Sequence, residues 1–259
     1  MVLPLNHCQL LKSKVRNNNN TTYKRKIIKM VNNLELYFDF ISQPSRALYI
    51  LLKQSGAKFE AKQINLLEAQ NTNDDYKQIN RFQKVPAIID YESGEKFHLA
   101  ESIAILRYLV TKGKILENFY PADFQQRARI DEFLCWQHNG IRTSCSLYFR
   151  FLWVQAKVFG APASDAKVAK YRKFMEADLQ LMENQWLQSS QFLAGNNLSA
   201  ADVFGACEIE QIRVCGYEIK EKYPKVFAWI ERVRRELDPY FDEAHKVVYA
   251  FEKESKSKL

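Results

Sequence analysis

The chain has 259 residues, 47% apolar and 26% charged, which fits packed domains and excludes a wholly disordered chain. With only 8 Gly and 7 Pro, a turn-rich β-sandwich is disfavoured and helix should dominate. The formal charge is +8, but Lys12, Lys14, Arg16, Lys24, Arg25, Lys26 and Lys29 place seven positive charges and no acid in residues 1–30. That leaves +1 for the rest, a balance that argues against nucleic-acid binding by the folded part.

Residues 1–32 read as a basic, low-complexity N-terminal extension with an Asn17–Asn20 run. Its acid-free composition suits a solvated tail better than an Arg/Ser-rich transit peptide, and Met30 suggests an extended form of a shorter protein. From 34 to 40, Leu34, Leu36, Phe38 and Phe40 alternate at period two and predict a strand. Ser42-Gln43-Pro44-Ser45 predicts a helix start, with Pro44 in the first turn and Gly56 as the stop. A second strand at 58–65, parallel to the first, completes a β-α-β unit.

A helix follows near 68–79, then strands at Val85–Ile89 and 97–99 around a Gly94 turn, then a helix opening at Glu101-Ser102. The order βαβαββα over residues 33–111 is that of an α/β, thioredoxin-like N-terminal domain. Residues 112–122 form a linker with Gly113 and Pro121. An all-α helical bundle is expected over 123–259, with helices near 123–156, 164–189, 199–213, 224–237 and 239–252. Asp202, three residues after Ser199, reads as the acid of a capping box rather than of an active site.

No apolar run approaches the ~20 residues of a membrane span. The five cysteines, Cys8, Cys135, Cys145, Cys207 and Cys215, are odd in number and lack CxxC spacing, so free thiols in a reducing compartment are expected. Four scattered histidines without HExxH spacing predict no metal site.

Thioredoxin-like domains that do redox work carry CxxC at the first strand-to-helix turn. Here that turn holds Ser42, so the reactive thiol must come from outside, and glutathione is the obvious donor. A free thiol titrates near ~8.5, and a hydroxyl donor plus a helix N-terminus favour its anion. Lowering it by two units corresponds to ~2.7 kcal/mol, within reach of such an arrangement. Ser42 reads equally well as a plain helix cap. Tyr37 on the first strand is the rival thiol partner, and packing is the other reading of it.

Leu34-Glu-Leu-Tyr37, Ser42-Gln-Pro-Ser-Arg-Ala47, Lys84-Val-Pro86-Ala87, Glu101-Ser-Ile-Ala-Ile105 and Ser199-Ala-Ala-Asp202 together resemble a cytosolic glutathione transferase. Tyr120-Pro121, Arg127-Ala-Arg129-Ile-Asp131 and Trp136-Gln-His138 resemble the theta class more narrowly, and the likeness spans roughly 34–250. It implies an enzyme joining the glutathione thiolate to electrophiles, or reducing organic hydroperoxides. Glutathione is a co-substrate and no cofactor is tightly bound. The same fold also serves as a non-catalytic ligand carrier or protein-interaction module.

By the resemblance, Ser42 holds the thiolate, and Val85 before a cis Pro86 pairs with the cysteinyl part. Glu101 meets the ammonium and Ser102 the carboxylate of the γ-glutamyl end. Lys84 lies on the glycyl side, with Asn71 and Thr72 as further contacts, although theta members often carry histidine where Asn71 stands. Arg142 is implied near the electrophile, where a cation suits a departing anion. With no tryptophan after Trp229, the C-terminal helix is expected to stop early and leave the electrophile pocket more open. A homodimer is implied. The cytoplasm is the expected compartment, with peroxisomal import suggested by Ser257-Lys258-Leu259.

Overall fold

The computed structural model describes residues 33–92 and 94–257. The expectations for residues 1–32, and for Lys258 and Leu259 of the import tripeptide, lie outside the described residues. The N-terminal elements are β1 (Leu34–Phe38), α1 (Gln43–Gln54), β2 (Glu60–Gln63), α2 (Asp74–Ile79), β3 (Ala87–Asp90), β4 (Phe97–Ala100) and α3 (Ser102–Thr111). The sheet order is β2-β1-β3-β4. β1 runs parallel to β2 and antiparallel to β3, and β3 is antiparallel to β4. Leu36 is the register point, opposite Ala61 on one side and Ile88 on the other.

Two boundaries differ from the sequence reading. β3 begins at Ala87 rather than Val85, because Pro86 has no N–H to give a ladder. The helix expected near 68–79 is two pieces, a 3-10 turn at Gln70–Thr72 and then α2. Asn73, at φ −70° and ψ 149°, is extended between them.

The helical domain comprises α4 (Phe124–Asn139), α5 (Ile141–Phe149), α6 (Gln155–Phe159), α7 (Asp165–Leu181), α8 (Ala200–Glu210), α9 (Pro224–Glu236) and α10 (Tyr240–Lys256). The single helix expected over 123–156 is broken twice. At Gly140 the backbone leaves helical values (ψ −121°), and the Trp136 ring lies so close that an added Cβ would stand 2.8 Å from it. At Arg150–Val154 the helix widens into a π-helical turn. A second π-helical turn, Met182–Trp186, ends the 164–189 helix early.

One core runs through both domains. Leu34, Leu36 and Phe38 of β1 share it with Ile105 and Leu109 of α3 and with Phe133, Phe204 and Trp229 of the helical domain. Helix α1 is buried continuously from Pro44 to Leu52, because the sheet lies on one side and α8 and α10 on the other. Asp202 is wholly buried. Its carboxylate accepts from the Ser199 N–H and Oγ, the Leu193 N–H and Trp229 Nε1, so it caps α8 and ties it to α9. Among the described residues no helix is long and apolar enough to cross a membrane, and no group of three His, Cys, Asp or Glu is placed to hold a metal.

Candidate active site

The turn that carries Ser42 is shaped by one buried carboxylate. Asp39 accepts the Ile41 N–H (2.9 Å) and the Leu66 N–H (2.8 Å), while its carbonyl accepts the Ser42 N–H (3.0 Å). Ser42 is the N-cap of α1, and its carbonyl accepts the Arg46 N–H. Its side chain makes no capping bond. The hydroxyl instead lies 3.5 Å from the Val85 carbonyl oxygen, at the outer limit of a hydrogen bond. Ser42 is thus the cap of α1 by position, without a side-chain capping bond. The hydroxyl stands at the positive end of a helix with its proton scarcely engaged.

Val85 precedes a cis peptide to Pro86, as expected. The strip before it is pinned from behind. The Lys84 carbonyl accepts from Tyr76 Oη and Asn80 Nδ2, and the Gln83 carbonyl accepts from Asn71 Nδ2 (2.8 Å). Gln83 returns its own amide to the Thr72 carbonyl (2.8 Å) and holds φ at 52°, in the left-handed region. Asn71 and Thr72 are thus clamps on the strip: Asn71 through its side chain, Thr72 through its carbonyl, with its hydroxyl turned to the Ala69 carbonyl. Lys84 is exposed. Glu101 is exposed at φ 68°, a conformation that costs a non-glycine residue on the order of 1–3 kcal/mol and is kept only where neighbours enforce it. It delivers the chain into α3, whose first residue, Ser102, is buried. Ser42, Val85, Glu101 and Ser102 therefore all sit at loop-to-helix or loop-to-strand junctions of one sheet.

Helix α5 forms the opposite wall. Gln43 Nε2 donates to Ser146 Oγ (3.0 Å), and Ile41 packs in one apolar cluster with Phe149 and Trp153. Both sequence neighbours of Ser42 thus touch this wall. Arg142, Ser146, Phe149 and Trp153 are spaced four, three and four residues apart, one face of a helix. That face runs from a cation through a hydroxyl to aromatic rings. Arg142 is held at 3.1 Å by the fully buried Glu208, whose other carboxylate oxygen has no hydrogen-bond partner among the described residues. The half-buried His138 lies within the electrostatic reach of both Arg142 and Glu101. Burial first, and then the Arg142 charge, push its pKa down, while Glu101 pulls it up.

The aromatic end is covered. Val248 belongs to the Ile41 cluster, and the Phe251 ring lies 4.8 Å from that of Trp153. Helix α10 runs on to Lys256, past the 252 expected from the sequence. Phe251, about one and a half turns before the helix end, supplies the covering ring. Tyr37 lies on the half-buried side of β1 and donates to Glu35 (2.7 Å). Burial first, then Glu35, raise its pKa, so the phenol stays neutral and committed. Sequence reasoning missed Gln83, Glu208, Trp153, Phe251 and the buried Arg46. Only the four- and three-residue spacing from Arg142 could have signalled Trp153. Cys145 and Cys207 are buried with pKa raised by burial, Cys207 to about 12, so neither is a reactive thiol here.

Comparison with known proteins bears on this arrangement. Residues 36–111 match the family model "Glutathione S-transferase, N-terminal domain", and residues 148–236 match "Glutathione S-transferase, C-terminal domain". The chain is 40% identical over 219 residues to both "Glutathione S-transferase theta-3" of Mus musculus and "Glutathione S-transferase theta-1" of Homo sapiens, covering 83% of this chain and 88% of each relative. Among solved structures it is similar to "Human glutathione-S-transferase T1-1, apo form", with TM-score 0.80, 37% identity, and 85% and 91% of the two chains covered. A human theta-class enzyme in complex with the glutathione conjugate of 1-menaphthyl sulfate matches with TM-score 0.79 and 33% identity, over 87% and 91% of the two chains.

Proposed function

We propose that this chain, which belongs to the theta class of the glutathione S-transferase family, joins glutathione to apolar electrophiles through a thiolate held by Ser42. Glutathione is its co-substrate. The sulfur attacks an electrophilic carbon, a C–S bond forms, and the leaving group departs with the bonding pair. The single observation that carries the assignment is the Ser42 hydroxyl, free of capping, at the N-terminus of α1 and facing Val85. It donates to the sulfur and favours the anion.

The strip at Val85 offers backbone groups to the cysteinyl part, Glu101 suits the ammonium, and the α3 N-terminus at Ser102 suits the γ-glutamyl carboxylate. Lys84 stands free for the glycyl end. Residues 33–111 would bind glutathione and residues 123–259 the electrophile. Arg142 would receive an anionic leaving group while Phe149, Trp153 and Phe251 take the apolar body. The same thiolate can attack the outer oxygen of a hydroperoxide. The O–O bond breaks, the alkoxide takes a proton, and a second glutathione turns the sulfenic product into disulfide and water. A homodimer and cytoplasmic residence complete the reading.

Calorimetric titration with glutathione, followed by turnover of benzyl halides, tests it. Binding with conjugation is expected. No heat on titration would mean a carrier that has lost the site, and a monomer mass by light scattering would remove the dimer.

A further inference from the structure

Charge is unevenly placed on the folded body. From Arg150 to Phe174 the chain carries six lysines and arginines and one acid, Asp165, a net +5. Residues 31–259 sum to +1, so the remainder of the body stands at −4. The basic segment is one corner of the helical domain, where the π-helical turn Arg150–Val154 leads through α6 into α7, which packs back on α5. Lys157 is paired with Glu254 and Arg172 with Glu176. Arg150, Lys167, Lys170 and Lys173 are exposed and have no carboxylate partner among the described residues.

The corner is aromatic as well as basic. Phe151 stacks on Tyr171 (4.8 Å, 15°), and Tyr171 meets Phe174 edge-on (6.1 Å, 75°). Two lysines lie over this row of rings. Lys167 Nζ stands 4.1 Å from the Phe151 centroid, and Lys170 Nζ stands 5.9 Å from that of Tyr171 and 5.8 Å from that of Phe174. Phe174 is 49% exposed, and Val158 and Phe159, at the end of α6, are 41% and 66% exposed. On α7 the spacing of Lys167, Lys170, Tyr171 and Phe174 keeps them on one flank, while Met175 and Leu179 take the buried one.

Exposed rings flanked by lysines, whose stems cover them and whose ammonium ends stay wet, match the requirements of a membrane interface. The apolar groups enter the headgroup layer and the cations meet the lipid anions. The exposed Val158 favours lipid over nucleic acid, since an aliphatic side chain gives a base no ring to stack on. We propose that this corner docks the protein on anionic phospholipid surfaces, with Phe159 and Phe174 in the headgroup layer and Lys167, Lys170 and Lys173 against the charged lipids. Docking does not depend on the transferase reading. Where that reading holds, docking places the enzyme beside the phase in which apolar electrophiles dissolve.

Flotation of the full chain with vesicles tests the proposal. Phosphatidylcholine vesicles holding about 30% phosphatidylserine should bind at least about tenfold better than phosphatidylcholine alone, and about 0.5 M NaCl should remove most of the gain. The triple variant Lys167→Gln, Lys170→Gln, Lys173→Gln should bind the anionic vesicles about tenfold more weakly, with its melting temperature unchanged. Phe159→Ser keeps every charge and should weaken binding about threefold or more. Residues 1–30 are basic too, so a second readout is local to the corner. In Phe159→Trp, vesicles with brominated acyl chains should quench the tryptophan emission beyond the wild-type level. Equal binding to both vesicles, undiminished binding by the triple variant, or binding without added quenching at position 159 overturns the proposal. So does release from the vesicles by an RNA oligonucleotide that Phe159→Ser binds as tightly as the wild type, which would make the corner a polyanion site.

Discussion

The two domains meet along two seams of opposite character. At one, charge is sealed in. Arg46 of α1 has no exposure and donates to the Phe40 carbonyl (2.7 Å), the Cys207 carbonyl (2.8 Å) and Gln211 Oε1 (2.8 Å), with Glu208 and Glu210 close enough to feel its charge. His245, also wholly buried nearby, donates Nδ1–H to the Phe241 carbonyl. Burial and then Arg46 keep it neutral. At the other seam, at the N-terminus of the same helix, Ile41 and Gln43 on either side of Ser42 meet the α5 side through an apolar cluster and one half-buried hydrogen bond. The closed seam positions α1, and the open one, crossed by the Gln43–Ser146 hydrogen bond, carries Ser42 at the helix N-cap.

Breaking the closed seam should have the largest effect. Arg46→Ala removes the donor to the Phe40 and Cys207 carbonyls and to Gln211 Oε1, and takes a buried positive charge from beside Glu208 and Glu210, which keep Arg142 and Arg213 as partners. We expect a loss of about 3–5 kcal/mol in urea unfolding. A loss below about 1 kcal/mol would show that the seam is held by packing alone. Ser42→Ala attacks the open seam and should spare stability, with the melting temperature nearly unchanged. There kcat/KM should fall about ten- to a thousandfold. Its rising pH limb should also move to higher pH, because a thiol without its donor returns toward ~8.5. Full turnover in this variant would remove Ser42 from the chemistry.

Glu208 joins the two seams, since it answers Arg142 on one side and feels Arg46 on the other. Its carboxyl is pushed above the ordinary range, burial outweighing the two arginines. An acid whose folded pKa is raised binds protons more tightly when folded, so its share of stability declines as pH rises from the unfolded value toward the folded one. Protonated Glu208 resembles glutamine. Glu208→Gln should therefore lie closest to the wild type near pH 4, and the wild type should lose ground to it on the way to pH 7. Parallel stability curves would mean that Glu208 titrates normally. The variant should also slow substrates with anionic leaving groups about threefold more than epoxides, because Arg142 loses its anchor.

Legibility in sequence follows the same division. The glutathione side is written in local devices. Period two reveals β1, Pro44 and Gly56 bound α1, and Val85-Pro86 and Glu101-Ser102 mark the junctions at which β3 and α3 begin. The helical side is held by pairs distant in sequence, such as Arg46 with Gln211 and Arg142 with Glu208, which no periodicity encodes. The Gly140 break was hidden because its cause is a ring four residues earlier, and the π-helical turn has no sequence signature. Asn71 and Thr72 border the strip before Val85, but their bonds to Gln83 depend on a left-handed residue that the composition of the loop does not announce.

The smallest expected effect sharpens the contrast between Ser42 and Tyr37. Both are hydroxyls near the first strand, and either could in principle face a thiol. Tyr37 is already spent on Glu35 at 2.7 Å, and the Tyr91 hydroxyl reaches the same carboxylate oxygen at 3.0 Å. Its ring meets Tyr76 edge-on at 6.3 Å, which fixes it against α2 rather than α5. Burial and the Glu35 carboxylate both disfavour the phenolate, so the group neither ionises nor turns. Tyr37→Phe removes one hydrogen bond to a carboxylate that keeps its second donor. Stability should fall by about 0.5–1.5 kcal/mol. Turnover should stay within about threefold of the wild type, with the pH limb unmoved. A drop as deep as that expected of Ser42→Ala, together with a shifted limb, would transfer the thiolate to Tyr37 and make Ser42 the structural residue of the pair.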